Sequence, residues 1–207
     1  MFALVENDAF VRIVNSNKGI ELNGNQYPKT IFTLWSNAER EAIGIYEVVM
    51  DTTNKKDENY YINTDVSYAY SSGTVTGSYG TATAKPLDDI LFTQADADAD
   101  EIPEGMAVGD IKQYGLKGLE IAKIKSQASG LLAPTDWYVV KATEVADYDV
   151  PSNVATYRAN VRAKSNEMET QINACSDVDA LKTLFTWVYD EDTNTTSRPL
   201  ASFPEVI

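Results

Sequence analysis

The sequence contains no histidine among its 207 residues. Histidine is the usual proton shuttle near neutral pH and the commonest metal ligand, so its absence excludes catalytic triads and most zinc sites. Pairs of carboxylates remain, but 31 acidic residues give many accidental pairs, and no spacing among them indicates a glycosidase. We therefore expect a protein without enzymatic activity, and we assign no catalytic residue, no cofactor and no metal ligand.

Cysteine, basic residues and long apolar runs are scarce as well. Cys175 is the single cysteine, which excludes an internal disulfide, and its place at the end of an apolar stripe predicts a core residue rather than a reactive thiol. Seventeen basic residues against 31 acidic ones give a net charge of −14, which repels nucleic acid. No run of consecutive apolar residues approaches the length of a membrane span, which is about 18 residues. No signal peptide is visible either, so we expect synthesis in a cytoplasm and no membrane insertion.

The patterns that are present predict an α+β protein whose β-rich N-terminal domain covers residues 1–87. Two apolar runs flank Asn7 and Asp8, as in a hairpin. Ser36 and Glu39 have the spacing of a helix N-cap, and Gly44 ends that short helix before another strand. Residues 60–84 alternate as in a second hairpin. Its tyrosine stripe is either the core-facing side of a small sheet or a face that binds sugar or a partner.

Residues 88–109 form an acidic connector. The stretch is either a solvated linker or a cation site, because Asp96, Asp98 and Asp100 have the first ligand spacings of a calcium-binding loop. Glu101 stands where that loop needs glycine, and Ala107 stands where it needs glutamate. The pattern therefore does not support a calcium site.

A helical module is predicted over residues 110–190. Apolar spacing indicates a helix over residues 110–132, in which Gly115 and Gly118 weaken the helix or allow another backbone to approach. Residues 137–140 are predicted to be a short strand at a Thr-Asp-Trp corner, with Trp137 as a core anchor rather than a platform on which a ligand stacks. Pro151 begins the next helix. Its apolar stripe, which could form an internal helical hairpin or an oligomer contact, comprises Val154, Tyr157, Val161, Met168, Ile172 and Cys175.

A further short helix is predicted after this stripe, and Asp177 would cap it. Two arginines on the preceding helix, Arg158 and Arg162, are four residues apart and can clamp carboxylates. They either form internal salt bridges with Asp136 and Glu144, or recognise an acidic partner.

The C-terminal tail, residues 191–207, ends in an apolar patch. That patch either docks on a partner or packs back on its own domain. Together with the arginine pair it gives our candidate partner-binding residues: Arg158, Arg162, Pro199, Phe203, Pro204 and Ile207.

Residues 131–162 resemble a tail-fibre-assembly-like family of tailed bacteriophages and related marine-phage tail virion proteins. The similarity lies in LLxxTDWYVV followed by VPSNVATYRANVR, and the matching positions are Asp136, Trp137, Pro151, Tyr157, Arg158 and Arg162. The segments MFALVEN and LWSNAEREAIGIYEV resemble the leading domain of such proteins. Three features depart from the family pattern: Ser202-Phe203-Pro204 in place of Trp-Pro, Lys141 in place of a common arginine, and an apparent insertion over residues 88–109.

The resemblance implies a non-enzymatic structural protein of the virion tail, at the fibre or baseplate, that binds other phage tail proteins and could form a homo-oligomer. A transient chaperone of fibre assembly is the alternative within the same family. From another class, the tyrosine-rich hairpin keeps open a module that binds carbohydrate or a cell surface.

Overall fold

The first hairpin forms as the sequence predicts. Strand β1 (Phe2–Glu6) and strand β2 (Ala9–Val14) pair in antiparallel fashion with Glu6 opposite Ala9, which leaves a two-residue turn. Asn7 and Asp8 form this turn with φ of 50° and 58°, in the left-handed region that asparagine and aspartate tolerate best after glycine.

The computed structural model describes residues 1–207 and divides into two compact units, Met1–Thr83 and Ala84–Ile207. Strands dominate the first unit and helices the second, so the prediction of an α+β protein is confirmed. The predicted connector (88–109) and the predicted tail (191–207) both belong to the second unit. No helix has the length and apolar character that crossing a bilayer requires.

The first unit contains a five-stranded sheet in the order β2, β1, β5 (Ile45–Asp51), β8 (Thr74–Tyr79) and β7 (Val66–Ser71). Neighbouring strands are antiparallel except β5 and β8, which are parallel. The remaining elements of this unit, in chain order, are β3 (Ile20–Leu22), β4 (Asn25–Tyr27), α1 (Ile31–Leu34), α2 (Asn37–Glu41), β5 (Ile45–Asp51), β6 (Tyr61–Ile62), β7 (Val66–Ser71) and β8 (Thr74–Tyr79), and β9 (Thr83–Ala84) lies at the division.

Both faces of this sheet are covered, because neighbouring residues of β1 enter two different cores. Leu4 belongs to a cluster with Ile31, Phe32 and Ile45. The other cluster contains Ala3, Val5, Val48 and Val75. The two outer strands of the sheet approach each other on this second side, where the rings of Phe10 and Tyr68 stack at 5.2 Å.

The predicted hairpin in residues 60–84 is confirmed for β7 and β8, with Ser72 and Gly73 as its turn. Tyr68 and Tyr70 are partly buried against the cluster around Val75, so they occupy the core-facing side of the sheet. Gly77 lies directly opposite Tyr68, and a Cβ added there would come within 2.9 Å of the Tyr68 ring.

The capped helix at Ser36 is also confirmed. The Ser36 hydroxyl accepts from the Glu39 amide, and the Glu39 carboxylate accepts in return from the Ser36 amide at 2.7 Å, so two free backbone donors are satisfied. Gly44 follows with φ of +81° and leads into β5.

The second unit is built around two long helices, α4 (Leu116–Leu132) and α6 (Ser152–Asn173), which pack on each other. Burial confirms the predicted stripe of α6, from Val154 to Cys175, and the predicted N-cap is confirmed because the Ala180 amide donates to Asp177 at 2.8 Å. The elements of this unit are β10 (Ile90–Leu91), α3 (Gln94–Asp98), β11 (Ile111–Gln113), α4 (Leu116–Leu132), a 3₁₀ turn (Ala133–Thr135), α5 (Asp136–Glu144), α6 (Ser152–Asn173), α7 (Val178–Phe185), β12 (Val188–Asp190) and β13 (Thr195–Ser197).

The predicted start of the first long helix at residue 110 was wrong. Ile111–Gln113 is a strand paired with Ile90–Leu91, and the helix begins at Leu116 with Gly115 as its N-cap. The predicted close approach of another backbone is confirmed at Gly115, whereas the group that approaches Gly118 is a side chain. A Cβ on Gly115 would lie 2.3 Å from the carbonyl oxygen of Asp88, and one on Gly118 would lie 2.2 Å from the Asp89 carboxylate.

Much of the acidic stretch is engaged by protein groups. Asp89 accepts from the Gly115 amide at 2.8 Å, and Asp88 pairs with Lys117 at 2.9 Å. Asp96 pairs with Lys112 and closes a capping box with Thr93, and these contacts, with Lys112 first, hold the pKa of the Asp96 carboxyl below its usual range. Asp96 and Asp98 both belong to α3 rather than to an open loop.

The predicted strand at residues 137–140 was wrong, because this segment is part of α5. The prediction that Trp137 anchors the core was wrong too, since its side chain is 51% exposed. Cys175 is buried, and burial raises the pKa of its thiol, as expected for a core cysteine.

Candidate functional site

The corner between α4 and α6 is organised by Arg158, which is only 7% exposed. Its guanidinium donates to the carbonyl oxygen of Leu132 at 2.9 Å and to the hydroxyl of Thr135 at 2.6 Å, and it pairs with Asp136 at 2.8 Å. This planar group has several N–H donors in a fixed arrangement, so one side chain can hold three acceptors of different kinds.

Arg158 lies where the end of α4 comes close to the first turn of α5. The last carbonyl groups of α4 lack partners within the helix and carry partial negative charge. Arg158 supplies a cation and a donor to the last of them, and the Tyr157 hydroxyl donates to the carbonyl of Leu131 at 3.4 Å. Asp136 lies in the first turn of α5, where the helix dipole favours an acidic residue.

The salt-bridge interpretation of these residues is therefore confirmed for Arg158 and Asp136. Arg158 lies among groups of its own chain, and its burial leaves little of it for an external partner. Arg162 is exposed one turn later on α6 and makes a long hydrogen bond of 3.5 Å to the carbonyl of Arg158. Arg162 remains accessible for the predicted partner contact.

Helix α5 has no buried residue. Its exposed apolar side chains are Trp137 (51%), Val139 (40%) and Val140 (51%). The Trp137 ring lies against Tyr138, with ring centroids 3.8 Å apart, and the Lys141 ammonium lies 5.7 Å from the Trp137 centroid. Arg158 holds the first turn of this short helix through Asp136. Trp137 and Val140, three residues apart, lie on the same side of the helix and form an exposed apolar surface, which we call the α5 face.

The predicted C-terminal residues take a different arrangement. Gln171 holds the tail at two points, because its side chain accepts from the Ala201 amide at 2.9 Å and donates to the Pro199 carbonyl at 3.3 Å. Leu200 between them is 2% exposed.

Beyond this anchor the tail continues across the helices. Phe203 packs against the cluster of Ala128, Tyr157 and Val161, and Pro204 is half-buried. Ile207 is exposed by 60% and, with Pro204, borders a groove of about 380 Å³ at the start of α6. Within the tail, Leu200, Ala201, Phe203 and Pro204 therefore pack on their own unit, whereas residues 191–197 and 205–207 are exposed.

Three residues of this site were not among the candidate residues predicted from the sequence. Thr135 and Gln171 hold the corner and the tail, but polar side chains become informative only when their distant partners are known. Val140 was assigned to a strand and so was not recognised as part of a helix face. The i to i+4 spacing of Trp137 and Lys141 was the available signal for a helix.

Comparison with known proteins gives no relative: no protein-family model, no curated protein and no solved structure matches the chain. The resemblance of residues 131–162 to phage tail proteins stays a prediction.

Proposed function

We propose that the chain is a non-enzymatic structural protein of a bacteriophage tail, a fibre or baseplate component that acts through contacts with other tail proteins. The observation that carries the proposal is the α5 face, in which Trp137 and Val140 are exposed on a helix with no buried residue. This helix lies within the segment that resembles tail-fibre-assembly-like proteins.

An exposed apolar face on a fixed element is typical of a protein-binding surface. Tryptophan is among the residues that contribute most to such interfaces, because it buries a large area at little cost in side-chain entropy. The contact of Trp137 with Tyr138 and the nearby Lys141 ammonium limit the freedom of its ring before a partner arrives. A side chain ordered in advance loses less entropy on binding.

The buried arginine supports the same proposal indirectly. Arg158 holds Asp136 and Thr135, so it fixes the beginning of α5 on the end of α4. Asp136 and Arg158, which match the family pattern, therefore form the contact that orients the exposed helix α5. We place the main partner contact on the α5 face, with Arg162 and Ile207 as accessible candidates outside it.

The protein composition of purified particles tests the proposal. Mass spectrometry of mature virions of the phage that encodes the chain should find it as a stoichiometric component. Absence from virions, together with co-purification with the fibre protein from infected cells, would support the assembly chaperone instead. Absence from both would reject both roles.

Two variants locate the contact. Trp137→Ala should reduce incorporation of the chain into particles, or its capture by the fibre protein, by at least tenfold. Trp187→Ala is the matched control, because Trp187 is 56% exposed but lies outside α5. Equal loss in both variants, or no loss in either, would rule out the α5 face.

A further inference from the structure

A cleft of about 490 Å³ lies in the first unit, beside the turns of two hairpins. Buried apolar side chains of Leu4 and Leu22 line it together with the half-buried Ile43. Its volume is within the range of small-molecule sites in proteins, about 300 to 1,000 Å³. None of the residues discussed for the α5 face contributes to this cleft.

Each of the two turns contributes an exposed asparagine to the lining of the cleft. Asn7 follows β1 with φ of 50°, and Asn23 follows β3, also with φ of 50°. Each turn has two residues, because Glu6 pairs with Ala9 and Leu22 pairs with Asn25. A two-residue turn with both residues left-handed holds its shape firmly, so the amides of Asn7 and Asn23 start from defined positions.

A close backbone contact adds to this rigidity. Gly44 lines the cleft with φ of +81°, and a Cβ there would lie 2.7 Å from the carbonyl oxygen of Val5. The Val5 amide donates to the Gly44 carbonyl at 2.8 Å. The base of the cleft is thus fixed by main-chain contact.

The polar lining is free to bind a ligand. Asn7, Asn23 and Asn25 line the cleft, and no hydrogen bond within the chain engages their side chains. A primary amide both donates and accepts, and so does a hydroxyl group, so three such amides suit a ligand with several hydroxyl groups.

One aromatic ring completes the lining. Tyr27 lines the cleft and is held by an edge contact with Trp35, with centroids 5.9 Å apart. A ring of this kind offers an apolar surface beside polar groups, as the alternating C–H and O–H faces of a sugar require. Glu6 is the only charged residue of the lining, and no lysine or arginine contributes, so an anionic ligand is disfavoured.

We propose that this cleft binds a neutral saccharide through the amides of Asn7, Asn23 and Asn25 and the ring of Tyr27. This inference does not rest on the structural role in the phage tail, because it concerns other residues. It also places carbohydrate binding away from the tyrosine-rich hairpin, where Tyr68 and Tyr70 pack on the core.

The test uses the full chain and ligand-observed NMR at millimolar concentrations of neutral disaccharides: lactose, cellobiose and chitobiose. Sialyllactose is the acidic counterpart of lactose. We expect saturation transfer to at least one neutral disaccharide and weaker transfer to sialyllactose. No transfer to any neutral disaccharide, or stronger transfer to sialyllactose, would overturn the proposal.

A double variant, Asn7→Gly with Asn23→Gly, locates the site. Glycine keeps both left-handed turns and removes both amides, so binding should weaken at least tenfold while the thermal midpoint stays near that of the parent. Ser72→Gly is the matched control, since Ser72 also has φ of 50° in a turn of the same unit, outside the cleft lining. Unchanged binding by the double variant would also overturn the proposal.

Asn25→Ala provides a second variant that keeps both turns. Asn25 is exposed and does not have a positive φ, so alanine removes its amide without backbone strain. It should weaken binding of the same disaccharide by severalfold. Binding at parental strength would exclude Asn25 from the site.

Discussion

Arg158 and Asp136 form an ion pair at 2.8 Å in which the arginine side chain is 8% exposed and the aspartate side chain is 59% exposed. The two partners therefore differ in what their removal costs. Removing the arginine leaves the buried Thr135 hydroxyl without its donor and leaves the Leu132 carbonyl with the Thr135 hydroxyl as its one side-chain donor. Removing the aspartate leaves a guanidinium that keeps two acceptors.

We expect Arg158→Ala to lower the free energy of unfolding by about 2 to 4 kcal/mol, because two hydrogen bonds, a buried ion-pair partner and the packing of the side chain are lost. Asp136→Ala should cost no more than about 1 kcal/mol, because the carboxylate faces water. Arg162→Ala, on the exposed side of the same helix, should stay within about 0.5 kcal/mol. Urea denaturation followed by helical circular dichroism measures all three, and equal costs for Arg158→Ala and Asp136→Ala would contradict the assignment.

Two glycines of α4 should respond to alanine in opposite directions. Gly118→Ala should destabilise by about 1 to 3 kcal/mol, because the new methyl group would meet the Asp89 carboxylate at 2.2 Å. Gly130→Ala should stabilise by about 0.4 to 1 kcal/mol, since nothing lies within 4 Å and alanine restricts the unfolded chain. Thermal denaturation of both variants checks this, and a stabilising Gly118→Ala would show that Asp89 does not lie against the helix.

The anchor of the C-terminal tail should depend on Gln171. Gln171→Ala removes both hydrogen bonds to the tail, so the Ala201 amide should exchange with solvent deuterium at least tenfold faster. Asn166→Ala, at an exposed position of α6, is the control. Hydrogen exchange by NMR measures the effect, and unchanged protection of Ala201 would show that other contacts hold the tail.

Tyr46 should titrate above the ordinary range of a tyrosine. Its hydroxyl hydrogen-bonds with that of Tyr70 at 3.3 Å, and this bond, with burial second, raises the pKa of Tyr46 to about 12. A raised pKa means that the folded state favours the neutral phenol. The resulting stabilisation is complete below about pH 10 and is lost as pH rises towards 12.

Tyr70→Phe should bring the pKa of Tyr46 back towards its ordinary value of 10.0. Tyrosinate absorbance at alkaline pH, with NMR to assign the ring, checks this. Tyr189→Phe is the control, because Tyr189 is exposed in the second unit. If the pKa of Tyr46 is the same in Tyr70→Phe as in the parent, the shift is due to burial alone.

The elements that the sequence predicted well depend on local side-chain to backbone chemistry. The turn at Asn7 and Asp8 requires only that these two residues tolerate a positive φ. Ser36 caps through Glu39 three residues away, and Asp177 caps through Ala180. Because these interactions lie within a few residues, the sequence contains all that determines them.

The α5 face was missed because its conformation depends on distant groups. Tryptophan, tyrosine and valine favour strands on average, which led to the predicted strand at residues 137–140. In the structure this segment is helical and belongs to no sheet, and Arg158 holds Asp136 at the first turn of the helix. A contact across more than twenty residues thus overrode local propensity.

The predicted start of α4 was wrong for the same reason, because a contact with a distant residue decides it. Ile111 fits a helical stripe as well as a strand, and its pairing with Leu91 decides between them. The site residues divide in the same way. Arg158 was identified from its spacing to Arg162 in the sequence, whereas the roles of Thr135 and Gln171 became visible only in the folded structure.

The parallel pairing of β5 with β8 also bears on how quickly the chain folds. Val48 meets Val75 only after β6, the loop around Asn63 and β7 have been accommodated, so the chain must close a long loop before this contact stabilises anything. The helices of the second unit begin from hydrogen bonds four residues apart. We therefore expect helical circular dichroism to recover first after dilution from urea, and the sheet of Met1–Thr83 to complete refolding at a slower rate.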